Sequence, residues 1–109
     1  SVTDPSIARQ ALLDPRISHL QMPYNTVSQQ FKPCFRLAHQ QKKQLIINRP
    51  FQMGQILVNG HDPDAIATEA YRYILMNGFK GVVLTGTSNN DHLRQNIHNF
   101  IHAKRQLFM

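Results

Sequence analysis

The sequence predicts a single α/β domain: a small mixed or parallel sheet, an N-terminal helix and a C-terminal βαβα unit. Three observations predict it. The chain has 109 residues, 41% of them hydrophobic and 17% charged, which is enough apolar material for one core and too little for two domains. Its second half reads strand, helix, strand, helix with links of a few residues, the pattern that makes parallel strands. An aspartate followed by proline, a cap plus a first helical residue, occurs at Asp4-Pro5 and again at Asp62-Pro63.

The first half, residues 1–50, reads as helical or irregular with edge strands. Asp4-Pro5 starts a short helix whose Ile7, Ala8, Ala11 and Leu12 are expected to face inward. Asp14-Pro15 ends it or begins another turn containing Ile17 and Leu20, and Pro23, Tyr24 and Asn25 make a loop. From Phe31 to His39, Phe31, Pro33, Phe35 and Leu37 alternate with Lys32, Cys34, Arg36 and Ala38. That period suggests an edge strand, because Pro33 has no N–H for a ladder; a helix from Phe35 to Leu45 fits as an alternative. Leu45-Ile46-Ile47 reads as a strand and Arg49-Pro50 to Gly54 as a turn.

Residues 51–109 form the βαβα unit. Gln55 to Asn59 is a short apolar run ending at Gly60, expected to be a buried strand. Asp62 and Pro63 start a helix with Ile66, Ala67, Ala70, Tyr73 and Ile74 at helical spacing, and Asn77-Gly78 stops it. Gly81 to Thr85 is the second strand, expected to lie parallel and near to the first and to be buried on both faces. After Gly86-Thr87, Ser88 to Asp91 has capping-box spacing, and the last helix places Leu93, Ile97, Phe100, Ile101, Leu107 and Phe108 on one face.

Composition narrows the function. Twelve Lys and Arg against six Asp and Glu give +6 with His neutral, an excess that favours polyanionic partners. No apolar run reaches the roughly 18–20 residues of a membrane helix, so no membrane role is expected. Cys34 is the only cysteine, which suits a reducing, cytoplasmic setting and excludes an internal disulfide framework. Glu69 is the sole glutamate, and the polar residues are largely Gln and Asn, so carboxylate pairs and hard-metal cages are scarce. The chain opens Ser-Val-Thr-Asp without an initiator Met or a signal-like segment, which reads as a domain excised from a longer protein.

Two sets of residues are candidates for binding. Parallel strands bring Gly60, His61 and Asp62 beside Gly86, Thr87 and Ser88 at the carboxyl edge of the sheet, where open α/β sheets bind ligands next to helix N-termini. Capping and tight turns also explain every one of these residues. On the last helix, Arg94, His98, His102 and Arg105 form one stripe, a fair phosphate-contacting surface that Lys42, Lys43 and Arg49 would extend. A solvated face looks the same. His98 and His102 have zinc-ligand spacing, but Asn99 stands where H-E-x-x-H needs Glu, and no metal or other cofactor is expected. Cys34 with His39 lacks any nucleophile signature, and Gly86-Thr87-Ser88 is not G-x-S-x-G.

The run ILVNGHDPDAIATEAYRYILMNGFKGVVLTGT resembles a Toprim-like module, within the broader Rossmann-like class, of the accessory kind found in conjugative relaxases and primases of mobile elements. A strand ending in Gly, an Ala-rich helix, an Asn-Gly stop and a second hydrophobic strand are shared. A catalytic Toprim domain places a Glu after its first strand and a D-x-D after a later one; Asn59-Gly60 and Thr85-Gly86-Thr87 stand there instead. The resemblance therefore implies a non-catalytic domain of a DNA-processing or conjugative DNA-transfer protein, with no catalytic residue of its own. Its partners would be nucleic acid or a protein of the transfer apparatus. The alternative is a small nucleotide- or phosphate-binding domain using the glycine turns.

Overall fold

The computed structural model describes residues 1–51, 62–87 and 89–107. The expected strand Gln55–Asn59, together with Gly60, His61, Ser88 and Phe108, lies outside the described residues. Among the described residues, the chain forms α1 (Pro5–Leu13), β1 (His19–Pro23), α2 (Lys32–Gln40), β2 (Gln44–Asn48), α3 (Pro63–Leu75), β3 (Gly81–Val83) and α4 (Asn90–Leu107). The fold is mixed α/β, with an N-terminal helix and a three-stranded sheet in the order β1-β2-β3. Both pairings are parallel, with Leu20 opposite Leu45 and Met22 opposite Ile47, and Ile46 opposite Val82. No helix among the described residues is long and apolar enough to cross a membrane.

Both cap-plus-proline signals start helices. The Asp4 carboxylate accepts the Ser6 N–H at 2.8 Å and the Asp62 carboxylate accepts the Asp64 N–H at 3.0 Å. Asn77-Gly78 follows α3 as expected, with Gly78 in the left-handed region at φ 64°. Three readings of the first half need correction. The segment from Phe31 to His39 is a helix and not an edge strand: Phe31, Cys34, Phe35 and Ala38 are buried at helical spacing, and Pro33 sits in the first turn, where its missing N–H costs nothing. Residues 19–23, read as turn and loop, are a strand in which Leu20, Met22 and Pro23 are buried and His19 and Gln21 less so. Ile7 points to solvent and leaves Ala8 and Leu12 to face the core.

Among the described residues the sheet is covered on one face. Leu20, Met22, Leu45 and Ile47 pack with Ala8 and Leu12 of α1, Cys34, Phe35 and Ala38 of α2, and Ile74 of α3. The alternate residues along the same register, Gln21, Ile46 and Val82, are half-buried, half-buried and 54% exposed. The expectation that β3 is buried on both faces is therefore wrong for the described residues: Gly81 and Val82 are exposed and Val83 half-buried. Lys43 ties the layers together at the amino edge, where its Nζ donates to the Asp14 carbonyl at 3.0 Å and to the Ile17 carbonyl.

A second cluster joins α3 to α4. Ala67, Ala70 and Tyr71 pack on Ala103, with Phe51, Leu75, Val83 and Phe100 around them. Tyr71 stands edge-on to Phe51 at 5.1 Å and to Phe100 at 5.4 Å, an arrangement favoured by the ring quadrupoles. This contact also decides which face of α4 turns inward, and it is not the expected one. Asn99 and Ala103 are buried and Phe100 and Leu107 half-buried, whereas Leu93, Ile97 and Ile101 are exposed. Small residues on both helices allow close approach along the Ala67–Ala103 seam, and Asn99 Nδ2 fixes it by donating to Asp64 Oδ1 at 3.1 Å.

The Tyr71 hydroxyl is buried with no hydrogen-bond partner among the described residues, and burial pushes its pKa up to about 12. Removing an unsatisfied buried polar group relieves its desolvation, so Tyr71→Phe should be neutral or stabilise by up to ~1 kcal/mol. Denaturant midpoints measure this directly. A loss above ~1 kcal/mol would mean the hydroxyl is bonded in solution.

Candidate functional site

At the carboxyl edge of the sheet lies a cleft of about 690 Å³. Its walls come from the end of β2 (Asn48, Arg49), the turn after β3 (Leu84 to Thr87), the start of α3 (Pro63, Asp64) and the first turns of α4 (His92, Gln95, Asn96, Asn99). Local structure explains each wall. Arg49 turns the chain out of β2 in the left-handed region, φ 52°, and the buried Asn25 side chain holds its carbonyl at 2.8 Å. Gly86 makes the turn after β3 with φ 70°. Thr87 Oγ1 accepts the Asn89 N–H at 3.2 Å, and Asn89 in turn caps α4 by accepting from Asp91 and His92 at 2.9 and 3.1 Å.

The chemistry of the cleft is that of amides and hydroxyls. Asn48, Gln95, Asn96 and Asn99 bring carboxamides, Thr85 and Thr87 hydroxyls, and Phe51, Ala67 and Leu84 apolar surface. Asn48 Oδ1 is buried and has no hydrogen-bond partner among the described residues. Among the described lining residues Arg49 and His92 are the basic groups and Asp64 the acidic one, with one of its oxygens taken by Asn99. The first free N–H groups of α3 and α4 are engaged by Asp62 and Asn89, which weakens both termini as anion sites.

Of the loop residues read from sequence, Gly86 and Thr87 lie in this cleft, while Gly60, His61 and Ser88 fall outside the described residues. Asp62 does not line the cleft; it lines a separate groove of about 370 Å³ between α3 and α4. His98 and His102 line that same groove, together with Asp62, the cap of α3, and Asp64 and Glu69 within it. All four members of the basic stripe are exposed, and the two histidines share their groove with carboxylates. Lys42 is exposed in the turn after α2, Lys43 is held by carbonyls, and Arg49 stands in the cleft beside the first turns of α4.

Among the described residues no group of three or more His, Cys, Asp or Glu is placed to hold a metal ion. Cys34 is in the core and burial pushes its thiol up, away from the reactive thiolate, while His39 lies on the exposed side of α2. The cleft amides were missed by sequence reasoning because no motif marks them; the surplus of Gln and Asn was their only trace. Lys32, Arg36 and His39 were missed because a strand would have kept Lys32 and Arg36 apart from His39, whereas α2 aligns them. Comparison with known proteins finds no matching family model, no matching curated protein and no matching solved structure.

Proposed function

We propose that this chain is a non-catalytic binding module of a DNA-processing or conjugative DNA-transfer protein, with a Toprim-like or Rossmann-like βαβα second half, and that its carboxyl-edge cleft takes the base of a nucleotide. The observation that supports the cleft is Asn48 Oδ1, a buried acceptor at the end of the central strand without a partner among the described residues. Leaving such a group unpaired costs about 1–3 kcal/mol, which a donor on a ligand would recover. Carboxamides present a donor and an acceptor side by side and so match the edge of a base, while Phe51 and Leu84 offer apolar surface to its ring. Arg49 at the cleft would meet the phosphate. The capped helix ends favour the base over the phosphate as the anchor.

Titrating the protein with nucleosides, nucleotides and inorganic phosphate, followed by amide chemical shifts, tests this reading. Shifts should gather at Asn48, Thr85 to Thr87 and Asn96, and Asn48→Ala should weaken nucleoside binding about tenfold, or ~1.4 kcal/mol. If inorganic phosphate reproduces the shifts, or nucleosides produce none there, the base-binding site is wrong.

A protein of the transfer apparatus is the second reading, and the outward face of α4 favours it. Leu93, Ile97 and Ile101 are exposed along one line beside Arg94 and Arg105, a mixed apolar and basic surface better suited to an acidic protein than to bare phosphates.

A further inference from the structure

Helix α2 carries Lys32, Arg36 and His39 at i, i+4 and i+7, and Lys42 follows in the turn beyond it; all four are exposed. The three helical residues line a groove of about 550 Å³ whose far wall is Asn77-Gly78, just past the end of α3. No acidic side chain lines this groove among the described residues, and α2 itself contains none. Two other cations, Arg16 and Arg72, pair with Asp14 and Glu69, each at 2.7 Å, whereas no ion pair among the described residues engages Lys32, Arg36 or Lys42. Even the negative end of α3 is muted. Asn77 Nδ2 donates to the Tyr73 and Ile74 carbonyls at 3.1 and 3.0 Å, so those groups do not face the groove bare.

We infer that this groove binds the phosphodiester backbone of nucleic acid. The inference stands apart from the cleft and does not depend on it. Seven residues of helix rise about 10 Å, so Lys32 to His39 covers about three phosphate steps of one duplex strand, counted along the duplex axis at ~3.4 Å each. The surface is concave, and α2 exposes no aromatic or long aliphatic side chain on that side, which disfavours a lipid surface. Phe35 forms part of the floor but is buried in the core and offers no stacking platform. Binding is therefore expected to read charge and not sequence.

The test uses the full chain and a fluorescently labelled DNA oligonucleotide, with affinity measured by anisotropy across a salt series. The variant Lys32→Gln/Arg36→Gln/Lys42→Gln should lower the slope of log K against log salt by about three and weaken binding at least about tenfold at low salt. Arg94→Gln/Arg105→Gln should leave the slope unchanged. All five side chains are exposed, so melting temperatures should match the parent; should the triple variant melt early, Arg36→Gln alone must still lower the slope by about one. The inference is overturned if the parent shows no salt-dependent binding, or if the α2 variants bind as the parent does. It is also overturned if a polyglutamate peptide displaces the oligonucleotide at equal charge, which would indicate an acidic protein partner. Loss of nucleoside binding in Asn48→Ala, with oligonucleotide binding intact, would separate the two sites.

Discussion

Gly81→Ala should unfold β3 from the sheet. Gly81 opens that strand with φ 146°, a backbone conformation L residues rarely adopt, opposite Leu45 of β2. A Cβ there would lie 1.7 Å from the Leu45 carbonyl oxygen and 2.7 Å from its carbon. Both neighbours are backbone atoms of the central strand, so neither can rotate aside. The strands must part instead. That breaks the hydrogen bonds from Leu45 N–H to Lys80 and from Leu84 N–H to Ile47, both 2.8 Å, and withdraws Val83 from the two clusters it joins. Strain of about 1–3 kcal/mol, plus about 1 kcal/mol for each lost bond, is a large share of the ~5–15 kcal/mol that holds a domain folded. Gly86→Ala is the control, since φ there is 70° but nothing lies within 4 Å of an added Cβ. It should cost only about 1–2 kcal/mol. Chemical denaturation of both variants decides the matter: equal losses would mean the close approach to Leu45 does not exist in solution.

What was legible in the sequence was punctuation. Asp-Pro at 4–5 and 62–63, and Asn77-Gly78, mark helix ends through local hydrogen bonding and backbone geometry, and those signals do not depend on what packs nearby. The strand Leu45-Ile46-Ile47 was legible because it is central and apolar. Segment 31–39 was not, since its apolar residues satisfy periods of 2 and of 3.6 together and only burial chooses between them. Helix α4 misled for a different reason. Hydrophobicity points Leu93, Ile97 and Ile101 inward, but the partner helix offers alanines at Ala67 and Ala70, and close packing selected Ala103 and Asn99. The site was legible only as a place. Gly86-Thr87 at a carboxyl edge located the cleft, whereas the orphaned Asn48 oxygen exists only once β2, α3 and α4 are brought together.

Aspartate substitutions across the sheet should rank by face, not by hydrophobicity. Ile47 is 0% exposed in the central strand, among residues of α1, α2 and α3. A carboxylate there has no cation within the cluster, and burying an unpaired charge costs several kcal/mol even after relaxation. Ile47→Asp should therefore abolish the cooperative transition. Val83 faces the same side but is half-buried at the start of the helical layers, so Val83→Asp should destabilise severely without the total loss that burial on both faces would bring. Val82 is its neighbour in sequence and nearly as hydrophobic as Ile47, yet it points to the other face and is 54% exposed. Val82→Asp should shift stability by less than ~1 kcal/mol, as exposed substitutions do. Thermal melts of the three variants read the order directly. If Val82→Asp loses its transition as Ile47→Asp does, both faces of the sheet are covered in solution; a folded Ile47→Asp protein would instead remove β2 from the centre of the core.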